Sequence, residues 1–174
     1  MKYFILEAMP DYTDAPFVQD WYSKIDIRDI SPQGFWKLAD RTLFKVAPNQ
    51  NMVFADILMS PFFMVTIEMK RVLEMYDTHI RTKQAVLLDS ESGLSEVYYI
   101  PLLKVVDCLS PKSQLNIDRS IIKKAVLQLD KIKDVAIFKI GGVKSTYIAA
   151  RMDVVESLLR RSPRGISLTA VSTE

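Results

Sequence analysis

The clearest alternation of apolar and polar positions lies near the end of the chain, in residues 135–171. Residues 135–140 are mostly apolar and predict a strand. The Gly141–Gly142 pair favours a hairpin turn into a second strand at residues 146–149, because glycine accepts positive φ angles. A helix is predicted over residues 151–161, and a closing strand over residues 165–171, where apolar and small polar residues alternate.

The predicted C-terminal helix carries an apolar stripe made of Met152, Val155, Leu158 and Leu159. Acidic residues lie early in it and arginines late, as the helix dipole favours, and Ser162–Pro163 should end it. If the stripe faces the core, Leu159→Ala is expected to cost about 2–5 kcal/mol of stability.

A second helix is predicted from Ser60–Pro61 to about Tyr76. Serine can cap the free N–H groups of a first turn, and proline fits the first helical position. The apolar stripe expected to face the core comprises Phe62, Val65, Met69, Val72 and Tyr76.

Strands are predicted at residues 84–89 and 96–109, the second with a break or bend at Pro101, and residues 52–58 look like a strand or buried extended segment. Residues 121–130 fit a helix as well as a strand. A strand is preferred there, because the side chains alternate and another strand follows.

The first fifty residues give the weakest pattern. Residues 2–8 suit a buried first strand, whereas residues 9–50 contain four prolines and scattered aromatic residues, which predicts an irregular wrapping segment. No internal sequence repeat is visible. Together the elements predict an α+β fold in a single domain of residues 1–174, with a mostly antiparallel sheet and one or two main helices packed on it.

Composition fits a folded protein, since 49% of the residues are hydrophobic and 25% are charged. The single cysteine suits a reducing compartment. The first apolar run is broken by Glu7, Pro10 and Asp11, so neither a signal peptide nor a membrane span is expected, and a cytoplasmic location is predicted.

Charge is distributed unevenly along the chain. Residues 1–110 hold 15 acidic and 11 basic side chains, whereas residues 111–174 hold 12 basic and 6 acidic ones. A solvated basic face is the preferred interpretation, and a surface for an acidic partner is the alternative. Nucleic acid is the less favoured partner, because aromatic residues do not accompany the basic ones.

The sequence offers no arrangement that predicts catalysis. His79, the only histidine, follows a predicted helix end, and Cys108 lies in an apolar run typical of an inert thiol. No phosphate-binding glycine loop or metal-ligand spacing is present, so no cofactor and no metal is expected. An enzyme is not predicted, although carboxylates that converge only in the fold stay open as an alternative.

Two groups of residues are candidates for partner binding. Arg160, Arg161 and Arg164 form the tightest basic cluster, for which helix-end capping is the preferred role. The aromatic residues Trp21, Tyr22 and Trp36 are expected to serve the core first. For both groups an interface role is the alternative, because arginine and aromatic side chains are favoured as interface anchors.

Several segments resemble a family of bacterial immunity proteins in their order along the chain. They are FADILMSP, VTIEMKRVLEMY, VYYIPLLKVVDCLS, AIFKI, YIAARMDVVESLLRR and RGISLTAV. The resemblance covers residues 53–171 and implies a protein that binds and neutralises a toxin delivered by competing bacteria, without catalytic residues of its own. The open alternatives are a nucleic-acid-associated domain that uses the basic C-terminal face and a small carboxylate enzyme, and self-association is a further one.

Overall fold

The computed structural model describes all 174 residues and contains 13 strands and three α-helices. Three short 3₁₀ helices lie at Trp21–Ser23, Ile27–Asp29 and Phe35–Lys37. The strands are β1 (Tyr3–Ala8), β2 (Arg41–Lys45), β3 (Ile57–Leu58), β4 (Met64–Thr66), β5 (Thr82–Leu88), β6 (Ser95–Pro101), β7 (Val105–Val106), β8 (Gln114–Leu115), β9 (Ile122–Lys124), β10 (Val126–Leu127), β11 (Ile137–Ile140), β12 (Ile148–Arg151) and β13 (Ile166–Thr173). The helices are α1 (Ile67–Tyr76), α2 (Leu129–Ile132) and α3 (Met152–Leu159).

Most strands belong to two sheets. Sheet I has the order β2-β5-β6-β4-β3, in which β2 and β5 are parallel and the other pairs antiparallel. Sheet II has the order β10-β13-β1-β12-β11-β7, with parallel pairs at its two ends and antiparallel pairs between them. The predicted α+β class and the predominantly antiparallel pairing are confirmed.

Five successive strand positions correspond between the two sheets. In each sheet a parallel edge strand (β2 or β10) pairs with the strand after a helix (β5 or β13). A middle strand follows in space (β6 or β1), then the strand that enters the helix (β4 or β12), then β3 or β11. The fold therefore contains a topological repeat that the sequence does not reveal.

Local features support the same correspondence. Helix α1 follows directly on Thr66 and α3 directly on Arg151, and Leu73 and Leu158 then occupy the same helical position. The main-chain N–H of Leu102 donates to the carbonyl of Arg81, and that of Met9 donates to the carbonyl of Gly165 in the same way. We call sheet I with α1 the first half, and sheet II with α3 the second half.

Helices α1 and α3 lie between the two sheets and pack against each other. Val65, Met69 and Leu73 of the first half share one apolar cluster with Val154 and Leu158 of the second. Each sheet buries its other face under a different segment. Residues 9–40 (the first cover) pack on sheet I, and residues 107–135 (the second cover) pack on sheet II.

The predicted start of the helix at residues 60–76 is wrong. The chain bends at residues 60–62 and then enters β4, so α1 begins only at Ile67. Phe62 and Met64 pack with the core beneath the first cover, whereas Phe63 and Val65 face the core between the sheets. Because both faces are buried, every position from Phe62 to Val65 is apolar and the period of two expected for a strand disappears.

The predicted core stripe of the C-terminal helix is wrong at two positions. Helix α3 buries Val154, Val155 and Leu158, whereas Met152 is 37% exposed and Leu159 51% exposed. Those two residues lie at the margin of the buried stripe. The loss of stability of about 2–5 kcal/mol predicted for Leu159→Ala is therefore expected for Leu158→Ala instead.

Other boundaries differ less. The Gly141–Gly142 hairpin and strands β1, β5, β11, β12 and β13 confirm predicted strands. The long predicted strand stops at Pro101 and resumes only as β7. Residues 121–130 divide into two short strands and the start of α2, and residues 9–50 contain strand β2 as well as the three 3₁₀ helices.

Candidate interaction surface

Two of the three candidate arginines have partners within the molecule. Arg161 donates from Nη1 to the carbonyl of Ser157, 2.7 Å away, at the end of α3. Arg164 Nε lies 3.6 Å from Asp56, whose carboxylate also accepts the main-chain N–H of Arg164. Arg160 is exposed and its side chain makes no hydrogen bond or ion pair. The preferred capping role is supported for Arg161, and the interface role of the cluster stays a prediction.

Five of the nine other basic residues of the C-terminal part also have partners within the molecule. Lys112 pairs with Glu174, Arg119 donates to the carbonyl of Gly142, Lys131 donates to the carbonyl of Asp107, and Arg151 pairs with Asp153. Lys144 lies 3.9 Å from Asp118. The excess positive charge of residues 111–174 is thus distributed over several local contacts.

The three candidate aromatic residues differ in exposure. Trp21 is half-buried against the core beneath the first cover and meets Tyr22 edge-on at 6.1 Å between ring centroids. Tyr22 and Trp36 are each 74% exposed. Only Trp21 therefore fits the expected core role, and the other two rings present apolar area to solvent.

Trp36 borders a surface built from both sequence-distant and neighbouring residues, which we call the Trp36 surface. It consists of two adjoining depressions that meet at Thr82, the first residue of β5. Their lining residues are Phe35, Trp36, Asp40, Arg41, Lys70, Arg81, Thr82, Lys83, Gln84 and Tyr99.

Cations lie over aromatic rings on this surface. The guanidinium carbon of Arg81 is 5.6 Å from the centroid of the Phe35 ring, and Lys83 Nζ is 5.7 Å from it. Lys70 Nζ lies 5.1 Å from the centroid of Tyr99. Such contacts hold long basic side chains in place, because the ring faces attract positive charge.

Most charges of the Trp36 surface are paired. Lys83 lies 2.7 Å from Asp40, and its hydrogen bond lowers the pKa of that carboxyl below the ordinary value. Lys70 pairs with Glu74 of the same helix, and Lys37 lies 3.5 Å from Asp29. Each lysine of the surface thus faces a carboxylate.

The two arginines of the surface have no carboxylate partner. Arg41 donates from Nε to Gln84 Oε1 at 2.7 Å, and its terminal Nη groups make no hydrogen bond. Arg81 stands over Phe35 without any side-chain hydrogen bond or ion pair. Both residues are exposed, so their unused donors point to a surface able to bind carboxylates or phosphates.

Sequence reasoning missed Arg41, Arg81 and Phe35 as site residues. They come together because β2 pairs with β5 in parallel, with Arg41 opposite Gln84. Arg41 and Gln84 are 43 positions apart in the sequence, and the whole surface lies in the portion of the chain that is acidic overall. Only Trp36, an aromatic residue in an irregular polar segment, gave a signal.

A small apolar pocket of about 60 Å³ lies at the junction of the halves. Phe62 and Phe63 line it from the first half, Ile148 from the second, and Ile27 from the first cover. Its polar lining comes from Lys139 and Thr146.

The residues considered for catalysis lie apart. Cys108 is fully buried, and burial raises the pKa of its thiol to about 11. His79 is exposed in the turn after α1, where its main-chain N–H donates to Asp77 Oδ1. No three His, Cys, Asp or Glu side chains are arranged to hold a metal ion. The helices are all too short or too polar to cross a bilayer.

The sequence matches no protein-family model and no curated protein. Function is therefore inferred from the geometry of the surface together with the resemblance given above.

Proposed function

We propose that this protein binds another protein, and that in the cytoplasm of a bacterium it neutralises a toxin. The observation that carries the binding role is the Trp36 surface, where an exposed tryptophan lies near two arginines that have no carboxylate partner. Tryptophan and arginine are the residue types that most often dominate binding energy. The resemblance to immunity proteins supplies the class of partner.

Neutralisation of this kind needs surface complementarity rather than chemistry. A bound protein can cover the active site of a toxin or hold it in an inactive state. Affinity then depends on a few well-placed anchors that lose their water on binding, more than on the total area buried. The sheet beneath Trp36 and Arg81 limits the freedom lost on binding, which favours tight association.

Co-expression tests this proposal. The chain would be expressed with the product of each neighbouring gene that arrests bacterial growth when expressed alone. We expect growth to be restored and the two proteins to co-purify as a complex. If no neighbouring product is toxic, or if a toxic one is neither bound nor neutralised, the proposal is wrong.

A further inference from the structure

We propose that the Trp36 surface is the docking site for the partner, and that the partner presents an acidic segment whose carboxylates pair with Arg41 and Arg81. This inference rests on the proposed protein-binding function and names the surface and the chemistry of its ligand.

The arginines are poised for this contact. Arginine carries five N–H donors in a planar fork that fits a carboxylate with two parallel hydrogen bonds. Gln84 holds Arg41 through Nε alone and leaves the terminal nitrogens free. The guanidinium of Arg81 lies over the buried Phe35 ring, and this contact leaves its N–H donors free. Both forks are therefore oriented before a ligand arrives.

The charge balance favours an acidic ligand. The carboxylates near the surface are already used by Lys37, Lys70 and Lys83. Two guanidinium charges are left over, and each would gain a charge-assisted bond from an added carboxylate. The same two guanidinium charges would repel a basic segment, so the surface also discriminates between partners.

Trp36 supplies the apolar anchor beside the arginines. Its indole N–H donates to the carbonyl of Gln33 at 2.9 Å, and Lys37 Nζ lies 6.0 Å from the ring centroid. The ring is fixed although it is 74% exposed. A fixed aromatic ring gains buried area on docking without a large loss of side-chain freedom.

In the second half, the position equivalent to Arg81 is covered by other residues of the chain. Gly165 corresponds to Arg81, since each accepts the matching hydrogen bond described above. A Cβ at Gly165 would lie 2.9 Å from Ala55 Cβ and 3.0 Å from Tyr12 Cδ1. The chain itself thus fills this position in the second half, whereas in the first half an exposed arginine stands there.

Single-stranded nucleic acid is the less favoured ligand. Its recognition uses aromatic rings on which successive bases stack. Phe35 is buried under two cations, and Lys70 lies over Tyr99, so Trp36 is the one well-exposed ring of this surface. Carboxylates, unlike nucleic-acid bases, bind to arginine without an exposed aromatic ring on which to stack.

Peptide binding tests the inference without knowledge of the toxin. A fluorescein-labelled peptide rich in glutamate and leucine would be titrated with the full chain, and fluorescence anisotropy measured at low salt. We expect binding that the double variant Arg41→Glu/Arg81→Glu weakens at least about tenfold, because attraction becomes repulsion. Trp36→Ala, which leaves the charge unchanged, should also weaken it.

The matched control is Lys123→Glu/Lys124→Glu, which makes the same change in net charge on exposed residues of β9. It should bind the peptide nearly as well as the natural chain does, and thermal unfolding should show that all variants are folded. The inference fails if the peptide does not bind, if both double variants lose binding equally, or if a lysine-rich peptide binds as well. It also fails if a labelled oligothymidine binds in place of the peptide and is lost in the Arg41/Arg81 variant.

Growth rescue by the same variants separates this inference from the proposed function. If the natural chain neutralises a toxin and the Arg41/Arg81 variant does so equally well, the docking surface is wrong and the function stands. If the natural chain neutralises nothing while peptide binding follows the arginines, the toxin role is wrong and the surface stands.

Discussion

The two halves of the molecule share a strand order but differ in what lies on their outer faces. The first cover consists of coil and three 3₁₀ helices, whereas the second contains a two-stranded sheet, β8 with β9, and helix α2. The exposed large apolar residues of the first cover are Met9, Phe17, Tyr22, Ile27 and Trp36, and those of the second are Ile117 and Ile121.

The repeated strands and helices therefore differ in role from the covers. The repeated strands and helices build the shared core, where substitution is costly. The covers carry no repeated pattern and hold most of the exposed aromatic area. Binding residues are commonly found on irregular segments supported by a rigid framework, and the first cover fits that description.

The largest expected effect tests whether the helices are equivalent. Leu73 and Leu158 occupy the same position in α1 and α3, and each is 2% exposed. We expect Leu73→Ala and Leu158→Ala each to lower the free energy of unfolding by about 2–5 kcal/mol, since each leaves a cavity between the sheets. Urea denaturation would measure both.

Leu159→Ala is the matched control, because Leu159 is half exposed on the same helix. Its cost should be below about 1 kcal/mol. An equal loss at Leu158 and Leu159 would contradict the observed orientation of α3, and a negligible loss at Leu73 alone would break the equivalence of the helices.

The next largest effect is expected at Asp56, whose hydrogen bonds have no equivalent in the other half. Buried Asp56, just before β3, accepts hydrogen bonds from Thr66 Oγ1 at 2.9 Å and from the main-chain N–H of Arg164 at 2.6 Å. Asp56→Ala leaves both donors without this acceptor and should cost about 1–3 kcal/mol. Chemical denaturation tests this, with Asp40→Ala as an exposed control, and a loss at Asp56 no larger than that at Asp40 would contradict a stabilising bridge between the halves.

A smaller effect is expected at the contact between the helices. Tyr76 donates from its hydroxyl to the carbonyl of Asp153 at 2.7 Å, and Ser157 Oγ lies 2.6 Å from the same hydroxyl. Tyr76→Phe should cost about 0.5–1.5 kcal/mol, the net value of one hydrogen bond. Tyr99→Phe, whose hydroxyl has no such partner, should be nearly neutral in the same thermal unfolding measurement. A reversed order would mean that this bond does not hold α1 to α3.

The smallest expected effect is on the stability of the folded state at acidic pH. Hydrogen bonds from Lys112 and Ser110 lower the pKa of Glu174, and the one from Lys83 lowers that of Asp40. Lowered pKa values stabilise the folded state above the unfolded pKa of about 4, and this stabilisation is lost as pH falls through the folded pKa. Glu174→Gln should therefore flatten part of the loss of stability below about pH 4. Urea midpoints across that range would test it, and an unchanged slope would contradict it.

Sequence patterns predicted the second half better than the first. Residues 137–173 fold as a hairpin, a helix and a strand that follow one another, so local turn chemistry and periodicity were sufficient. The start of α1 was misassigned because Phe63 and Val65 face one core while Phe62 and Met64 face another. A segment buried on both sides loses the alternation from which strands are recognised.

The repeat and the site needed three-dimensional information. The position that β6 holds in sheet I is taken by β1 in sheet II, so the two halves do not align as simple tandem copies. Likewise, Arg81 meets Phe35 only through the pairing of β2 with β5. Tertiary pairing of distant segments leaves no local pattern, and charge counts along the chain pointed to the opposite end.

The place of β1 also sets the order in which the molecule can be assembled during synthesis. This strand is synthesised well before its neighbours β12 and β13, and Tyr3 lies opposite both Arg151 and Val171. The strands β3 to β6 of sheet I are contiguous and can pair while the nascent chain is still growing. Sheet II closes only after β12 and β13 have been translated, and until β12 is made both edges of β1 stay open.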